Sequence, residues 1–195
     1  MASMFRMAIS MLVLMTVLLG IAYPLAITGI AQLVFPHQAN GSLVKHGDTV
    51  IGSSLLGQYF SKPEYFHPRP SAARAPDGGL PGYDPLDSGG TNLAPSSQKL
   101  VDTVTAAVHA NQADNPDVAV PGDLVTASAS GLDPDITPAA AEFQIPRVAK
   151  ARGIPEEAVR KAVKECTKGR TFGLFGEPRV NVLRLNILLD SSTEK

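Results

Sequence analysis

The chain has 195 residues, of which 44% are hydrophobic and only 18% charged, with a formal net charge of -1. A soluble domain averages about 25% charged residues, so part of this chain is unusually apolar, and the near-zero charge gives no electrostatic footprint for nucleic acid. The single cysteine, Cys166, excludes an intramolecular disulfide framework, a Cys-based zinc cluster and a CxxC redox pair.

The excess apolarity lies at the start. Between Met7 and Phe35 there is no charged residue, and Ser10, Thr16, Gly20, Tyr23, Pro24, Thr28, Gly29 and Gln32 are the only breaks in the apolar run. A spanning helix needs about 20 apolar residues to cross about 30 Å of hydrocarbon, so this run is long enough to span with tilt. Pro24 marks a kink and Pro36 a stop. The competing reading is a cleaved signal peptide, with Gly29 and Ala31 as the small residues before the cut. Its apolar core is normally about 7–15 residues, half the length found here. An uncleaved anchor is therefore expected, with a tail at 1–7, a transmembrane helix at 8–35 and one domain at 36–195. Gly20, Ala22, Ala26 and Gly29 suit close packing against other membrane helices; the plainer reading is that a single span tolerates them. Arg6 precedes the run, whereas Lys45 and Asp48 balance on the far flank. Positive charge stays cytoplasmic, so the N-terminus is expected inside and residues 36–195 outside.

After the anchor, Ser42–Lys45 and Asp48–Ile51 flank His46-Gly47 and read as a hairpin. Residues 61–95 hold 7 prolines and 5 glycines and read as a long loop, ordered through Tyr59, Phe60, Tyr65 and Phe66. Ser96 is expected to cap a helix to about Asn111, with Leu100, Val101, Val104 and Val108 on one face. Residues 119–136 are small and polar. Thr137-Pro138 starts a helix that bends or breaks at Pro146 and ends at Gly153. Pro155-Glu156-Glu157 opens another, lined by Val159, Ala162, Val163 and Cys166, with Lys164 and Lys168 suiting its C-terminal dipole. Leu183, Leu185, Ile187 and Leu189 alternate, so Arg179 to Leu189 reads as a strand. The fold class is an α+β soluble domain tethered by one N-terminal transmembrane helix.

No catalytic constellation stands out. His37, His46, His67 and His109 share no ligand spacing, and Cys166 reads as a buried, inert thiol. There is no GxSxG elbow, no Walker lysine motif and no TVGYG-like filter. The glycines at 78–90 could cradle an anion, though turns are the ordinary use of such glycines. Asp77, Asp84 and Asp87 would repel phosphate there, and the nearest basic residues are Arg74 and Lys99. Asp123, Asp133 and Asp135 could bind a cation; capping turns and helix starts is the commoner role.

Several blocks carry a resemblance. They are Gly57–Phe60, Tyr65–Ala72, Ser88–Leu93, Asp123–Ile136, Pro138–Ala140, Arg147–Gly153 and Gly176–Leu183. Together with the N-terminal span they resemble the C subunit of the bacterial Kdp potassium-transporting ATPase over nearly the whole chain. The proline at 146 departs from the helix that resemblance implies. The resemblance implies a cell inner-membrane complex with a channel-like potassium-binding subunit, a P-type ATPase subunit and a very small single-span subunit. It also implies a non-catalytic, assembly-promoting role, with ATP and potassium acting at the level of the complex and no tightly bound cofactor. The family is credited with raising the ATP affinity of the ATPase subunit, and Ser88-Gly89-Gly90 is similar to the signature loop of ABC transporters.

Two functional readings follow. In the first, the outer domain sits at the extracellular mouth of the potassium-binding subunit and stabilises the complex or shapes ion entry. Its expected contact residues are Tyr65, Phe66, His67, Arg69, Ser88, Gly89, Gly90, Asn92, Asp123, Thr126, Ser128, Ser130, Asp133 and Asp135. In the second, the domain is a nucleotide-binding chaperone of the ATPase subunit, which requires the opposite topology. A membrane-tethered hydrolase has no catalytic set in its favour.

Overall fold

The computed structural model describes residues 2–74, 79 and 82–193. The expectations resting on Asp77 and Gly78 lie outside the described residues. The chain divides into two compact units, Met1–Ile51 and Gly52–Lys195.

The first unit opens with helix α1 (Ala2–Val17), which passes through a π-helical segment (Leu18–Ala22) into α2 (Tyr23–Val34). Ala2–Val34 is one helix long and apolar enough to cross a membrane, with mean hydropathy 2.2 and none of its most apolar window buried. At about 1.5 Å per residue it measures roughly 50 Å, longer than the hydrocarbon layer. The π-helical turn has a physical cause at Pro24. Its ring lacks an N–H and crowds the carbonyl four residues back, so the preceding turn widens rather than breaks. The helix ends at Phe35, and Pro36 begins the short helix α3 (Pro36–Ala39). The expected hairpin follows as β1 (Leu43–His46) and β2 (Thr49–Ser53), turned by Gly47 at φ +59°.

The second unit begins with a largely irregular run that leads to α4 (Gln98–Gln112). Ser97, not Ser96, is the N-cap residue, and its side chain makes no capping hydrogen bond. Val101 is 50% exposed, so the expected apolar face of α4 is only half covered. A 3-10 turn (Gly122–Leu124) and β3 (Asp135–Ile136) come next.

Helix α5 (Pro138–Arg152) is built as its termini dictate. Thr137 accepts a hydrogen bond from Ala140 N at 3.1 Å, Pro138 takes the first turn, and Gly153 closes it at φ +66°. The expected break does not occur: α5 continues through Pro146. Ile145, Val148 and Ala149 are buried on both sides of the proline, and this packing offsets the one helical bond that proline removes. Helix α6 (Glu156–Cys166) buries Val159, Ala162 and Val163, with Cys166 against the same core. Burial pushes the Cys166 thiol pKa up, with Glu165 adding to the effect.

The segment expected to be one strand is mostly helix. Strand β4 (Thr167–Lys168) is followed by β5 (Arg179–Asn181), and then α7 (Val182–Thr193) begins at once. The buried set Val182, Leu185, Asn186 and Leu189 has helical i, i+3, i+4, i+7 spacing. The alternation of leucines suggested a strand because Asn186, a polar residue, occupies a core position. Asn181 Oδ1 accepts from Arg184 N at 3.1 Å and thereby caps α7.

The three short strands form an antiparallel sheet in the order β3-β5-β4, pairing Asp135 with Asn181 and Thr167 with Val180. Helices α5, α6 and α7 pack with this sheet around one core that includes Phe66, Ile145, Val148, Val159, Val180 and Leu185.

Candidate functional site

The run expected to be a loop is held by side chains from two helices. Asn186 on α7 and Gln144 on α5 treat residues 66 and 67 as a neighbouring strand would. Phe66 N donates to Asn186 Oδ1 (2.9 Å), and Asn186 Nδ2 donates to Phe66 O (3.1 Å). His67 N donates to Gln144 Oε1 (2.8 Å), and Gln144 Nε2 donates to His67 O (3.2 Å). Arg147 Nη1 donates to Pro63 O (2.7 Å) and Tyr65 O (3.0 Å), and its Nη2 to Gln144 Oε1 (2.8 Å). Arg147 Nε lies 2.9 Å from Asp114 Oδ2 as an ion pair without the alignment of a hydrogen bond. Arg152 Nε donates to Glu64 O (2.7 Å), its Nη2 donates to Asp190 Oδ1 (2.8 Å), and its guanidinium stands 5.2 Å from the Tyr65 ring centre.

These contacts decide what the first block of expected site residues can present. Phe66 is fully buried in the core, so its side chain is not surface. Tyr65 is half-buried beside Phe60, ring centres 5.5 Å apart. His67 is half-buried, with Nε2 3.2 Å from Lys62 O. Burial, reinforced by Arg147, pulls its pKa below the ordinary 6.5, against the raising influence of Lys62 O and Asp114.

The other two blocks come together backbone to backbone. Gly89 N donates to Ser130 O (2.9 Å), Ser88 Oγ to the same oxygen (3.0 Å), and Ser71 Oγ to Gly131 O (2.6 Å). A Cβ on Gly90 would stand 2.9 Å from Ala129 O. One on Gly131, already at φ +67°, would stand 2.8 Å from Gly89 O and 2.9 Å from Ala73 N. Glycine here permits close approach of three chain segments. The Gly89 N–H is engaged by Ser130, which removes one donor that an anion cradle would use. Ser128 is buried, with its Oγ 3.5 Å from that of Ser130. Asn92 is exposed at φ +51°, a left-handed conformation that Asn tolerates.

Asp123, Asp133 and Asp135 line one cleft of about 250 Å³ with Arg69 and Arg179. Each carboxylate has protein partners. Asp123 accepts from Thr137 N (2.7 Å) and Thr137 Oγ1 (3.1 Å). Asp133 pairs with Arg69 Nη1 (3.1 Å) and accepts from Asp135 N (3.1 Å). Asp135 pairs with Arg179 Nε (3.0 Å) and accepts from Asn181 Nδ2 (3.1 Å). Among the described residues no group of three or more His, Cys, Asp or Glu is placed to hold a metal ion. Thr126 is exposed, its Oγ1 donating to Gly122 O (2.6 Å). Tyr83 OH donates to Arg69 O in a short hydrogen bond, and burial pushes the Tyr83 phenol pKa up.

In the first unit Gly20, Ala22, Ala26 and Gly29 are exposed. A Cβ at Gly29 would meet nothing within 4 Å, and one at Gly20 only Thr16 Cγ2 at 4.0 Å. Sequence reasoning missed Gln144 and Asn186. The signal available was an amide at a core-facing helical position, legible for Asn186 only once 182–193 is read as a helix.

A folded α+β unit carried on one apolar helix long enough to cross a bilayer defines a membrane-tethered domain. The family model KdpC, described as "K+-transporting ATPase, c chain", matches residues 5–191. A Potassium-transporting ATPase KdpC subunit of Bradyrhizobium diazoefficiens is 54% identical over 97% of this chain and 98% of its own. Subunits with the same name from Rhodopseudomonas palustris strain BisB5 and Allorhizobium ampelinum are each 55% identical, over 97% and 98% of this chain and 98% of their own lengths. The chain belongs to the KdpC family of K+-transporting ATPase c chains.

Proposed function

We propose that this chain is a non-catalytic accessory subunit of an ATP-driven potassium uptake complex. Its helix docks beside partner helices in the inner membrane. Its domain lies outside the cytoplasm, against the outer mouth of a channel-like potassium-binding subunit. A P-type ATPase subunit and a small single-span subunit complete the complex. The observation that carries this reading is the family match over residues 5–191, which takes in both the apolar helix and the folded unit. Arg6, near the N-terminal end of the helix, supports a cytoplasmic N-terminus.

Contact falls to the accessible parts of the three blocks: the exposed Thr126, Ser130, Asn92 and Ser88 and the half-buried Arg69 and Asp133. The domain contributes shape and stability to the assembly, while ATP is bound and hydrolysed on another subunit. Engagement of Gly89 N by Ser130, and the carboxylates of Asp84 and Asp87 nearby, weigh against a triphosphate at Ser88-Gly89-Gly90.

A reporter active only outside the cytoplasm, fused at the C-terminus, is expected to be active. Activity of a strictly cytoplasmic reporter there would sink the outer-mouth reading and favour the nucleotide-chaperone one. Calorimetry of the full chain in detergent with Mg-ATP is expected to show no saturable, stoichiometric site. A micromolar site weakened by Ser88→Ala would overturn that part of the proposal.

A further inference from the structure

Between β4 and β5 the chain makes a second, smaller hairpin. Thr171 N donates to Phe175 O (2.8 Å) and Phe175 N to Thr171 O (3.0 Å), while Gly173 N bonds Arg170 O (3.1 Å) and Leu174 N bonds Thr171 O (3.2 Å). Arg170 Nη2 clamps the base by donating to both oxygens of Glu177, at 2.8 and 2.7 Å. The amides of Thr171, Gly173, Leu174 and Phe175 are thus closed on the hairpin itself, as an apolar medium favours.

The side chains of this tip point away from the core. Phe172 is 89% exposed, Leu174 76% and Phe175 67%. Among the described residues of the second unit, no other stretch shows three large apolar side chains so close in sequence. Phe172 sits at φ +54°, a conformation that bulky residues avoid. Strain of this kind collects at sites with a task beyond folding.

Charge flanking the tip in sequence is mostly basic. Residues 161–184 carry six basic and two acidic residues in a chain of net charge -1; of the six, Arg170 pairs with Glu177 and Arg179 with Asp135. Lys164 lies in the last turn of α6, Lys168 stands in β4 at the hairpin's base, and Arg184 lies in the first turn of α7; all three are exposed. Aromatic and leucine side chains flanked by lysine and arginine match a bilayer interface, where rings sit at headgroup depth and cations meet lipid phosphates. The cores of protein–protein interfaces, by contrast, are depleted in lysine. The second unit starts at Gly52, fewer than 20 residues after the apolar helix ends at Val34. At no more than about 3.6 Å per residue, this connection spans at most about 65 Å.

We propose that the Thr171–Phe175 tip is a second membrane contact, with Phe172, Leu174 and Phe175 entering the headgroup region of an anionic bilayer and Lys168 beside them on lipid phosphate. The contact goes beyond the accessory-subunit reading. It needs only the anchor, and neither a particular partner nor a particular side of the membrane.

The test uses the full chain in a Cys166→Ala background, reconstituted without other subunits into phosphatidylglycerol-rich vesicles. A nitroxide is attached through Leu174→Cys, or through Asp117→Cys on an exposed turn as reference. Collision with oxygen, which concentrates in lipid, is compared with collision with a water-soluble nickel complex. The oxygen-to-nickel ratio at 174 is expected to be several-fold above that at 117, and to fall to the reference value with Phe172→Ser and Phe175→Ser combined. Those positions are exposed, so an unchanged thermal melt verifies the fold of that variant. A ratio at 174 equal to the reference, or one that survives the double replacement, overturns the proposal. Shielding of the label from both reagents only after the other ATPase subunits are added also overturns it and makes the tip a protein contact.

Discussion

Two amides determine how the Pro/Gly-rich run is held. Asn186 is 1% exposed and Gln144 2%, and each meets both the N–H and the C=O of one residue of the 66–67 segment. Asn186→Leu fills nearly the same volume but leaves the Phe66 amide and carbonyl buried without partners. At about 1–3 kcal/mol per orphaned group, this variant is expected to lose roughly 2–4 kcal/mol, read as a lowered unfolding midpoint of the full chain in detergent. His67 adds a pH term. Its folded pKa lies below the ordinary 6.5 because burial and Arg147 disfavour the imidazolium, despite Asp114. The unfolded chain therefore binds the proton more readily, so stability is complete above about pH 6.5 and declines as pH falls through and below that value. His67→Gln is expected to flatten this part of the stability–pH curve. An unchanged slope between neutral and mildly acidic pH would show that His67 is not its source. These residue-level roles were illegible beforehand: a histidine and two amides in sequence carry no sign of which backbone they will face.

Elements were legible where their own ends specify them. Thr137-Pro138 and Gly153 bracket α5, and Glu156-Glu157 opens α6, because caps and first-turn residues act within one turn of the chain. The strand assigned to 179–189 failed because Asn186 hid a helical stripe whose remaining members, Val182, Leu185 and Leu189, were present all along. Asn181→Ala removes the α7 cap on Arg184 N and the donor to Ser54 O and Asp135 Oδ1. A loss of about 1 kcal/mol or more is expected, with α7 amides gaining hydrogen exchange. Glycine placement supplies a sharper contrast. Gly131→Ala forces a Cβ to 2.8 Å from Gly89 O at a left-handed φ, whereas Gly122 has open space around it. The first substitution should destabilise by at least about 1 kcal/mol and the second should stay within about 0.5. Equal effects in a thermal melt would contradict the close approach of the 88–90 and 129–131 segments.

At the scale of the molecule, the helix and the folded unit pose separate questions. Replacing residues 8–34 with an unrelated span is expected to leave the fold of the rest intact but weaken co-purification with the other ATPase subunits, since Gly20, Ala22, Ala26 and Gly29 offer close helix contact. Undiminished co-purification would reduce the helix to a tether. What the sequence by itself determined is what depends on local composition: a membrane-length apolar helix, an α+β class, the hairpin at 43–53, the caps of α5, and blocks specific enough to identify the KdpC family. Tertiary structure alone decided that Phe66 belongs to the core, that Gly89 and Gly131 serve chain-to-chain contact, that the three aspartates are engaged by Arg69, Arg179 and Thr137, and that Phe172, Leu174 and Phe175 are left uncovered. Burial and hydrogen-bond partnership are relations between residues far apart in the chain, as with Phe66 and Asn186, and no local pattern encodes which distant group will arrive.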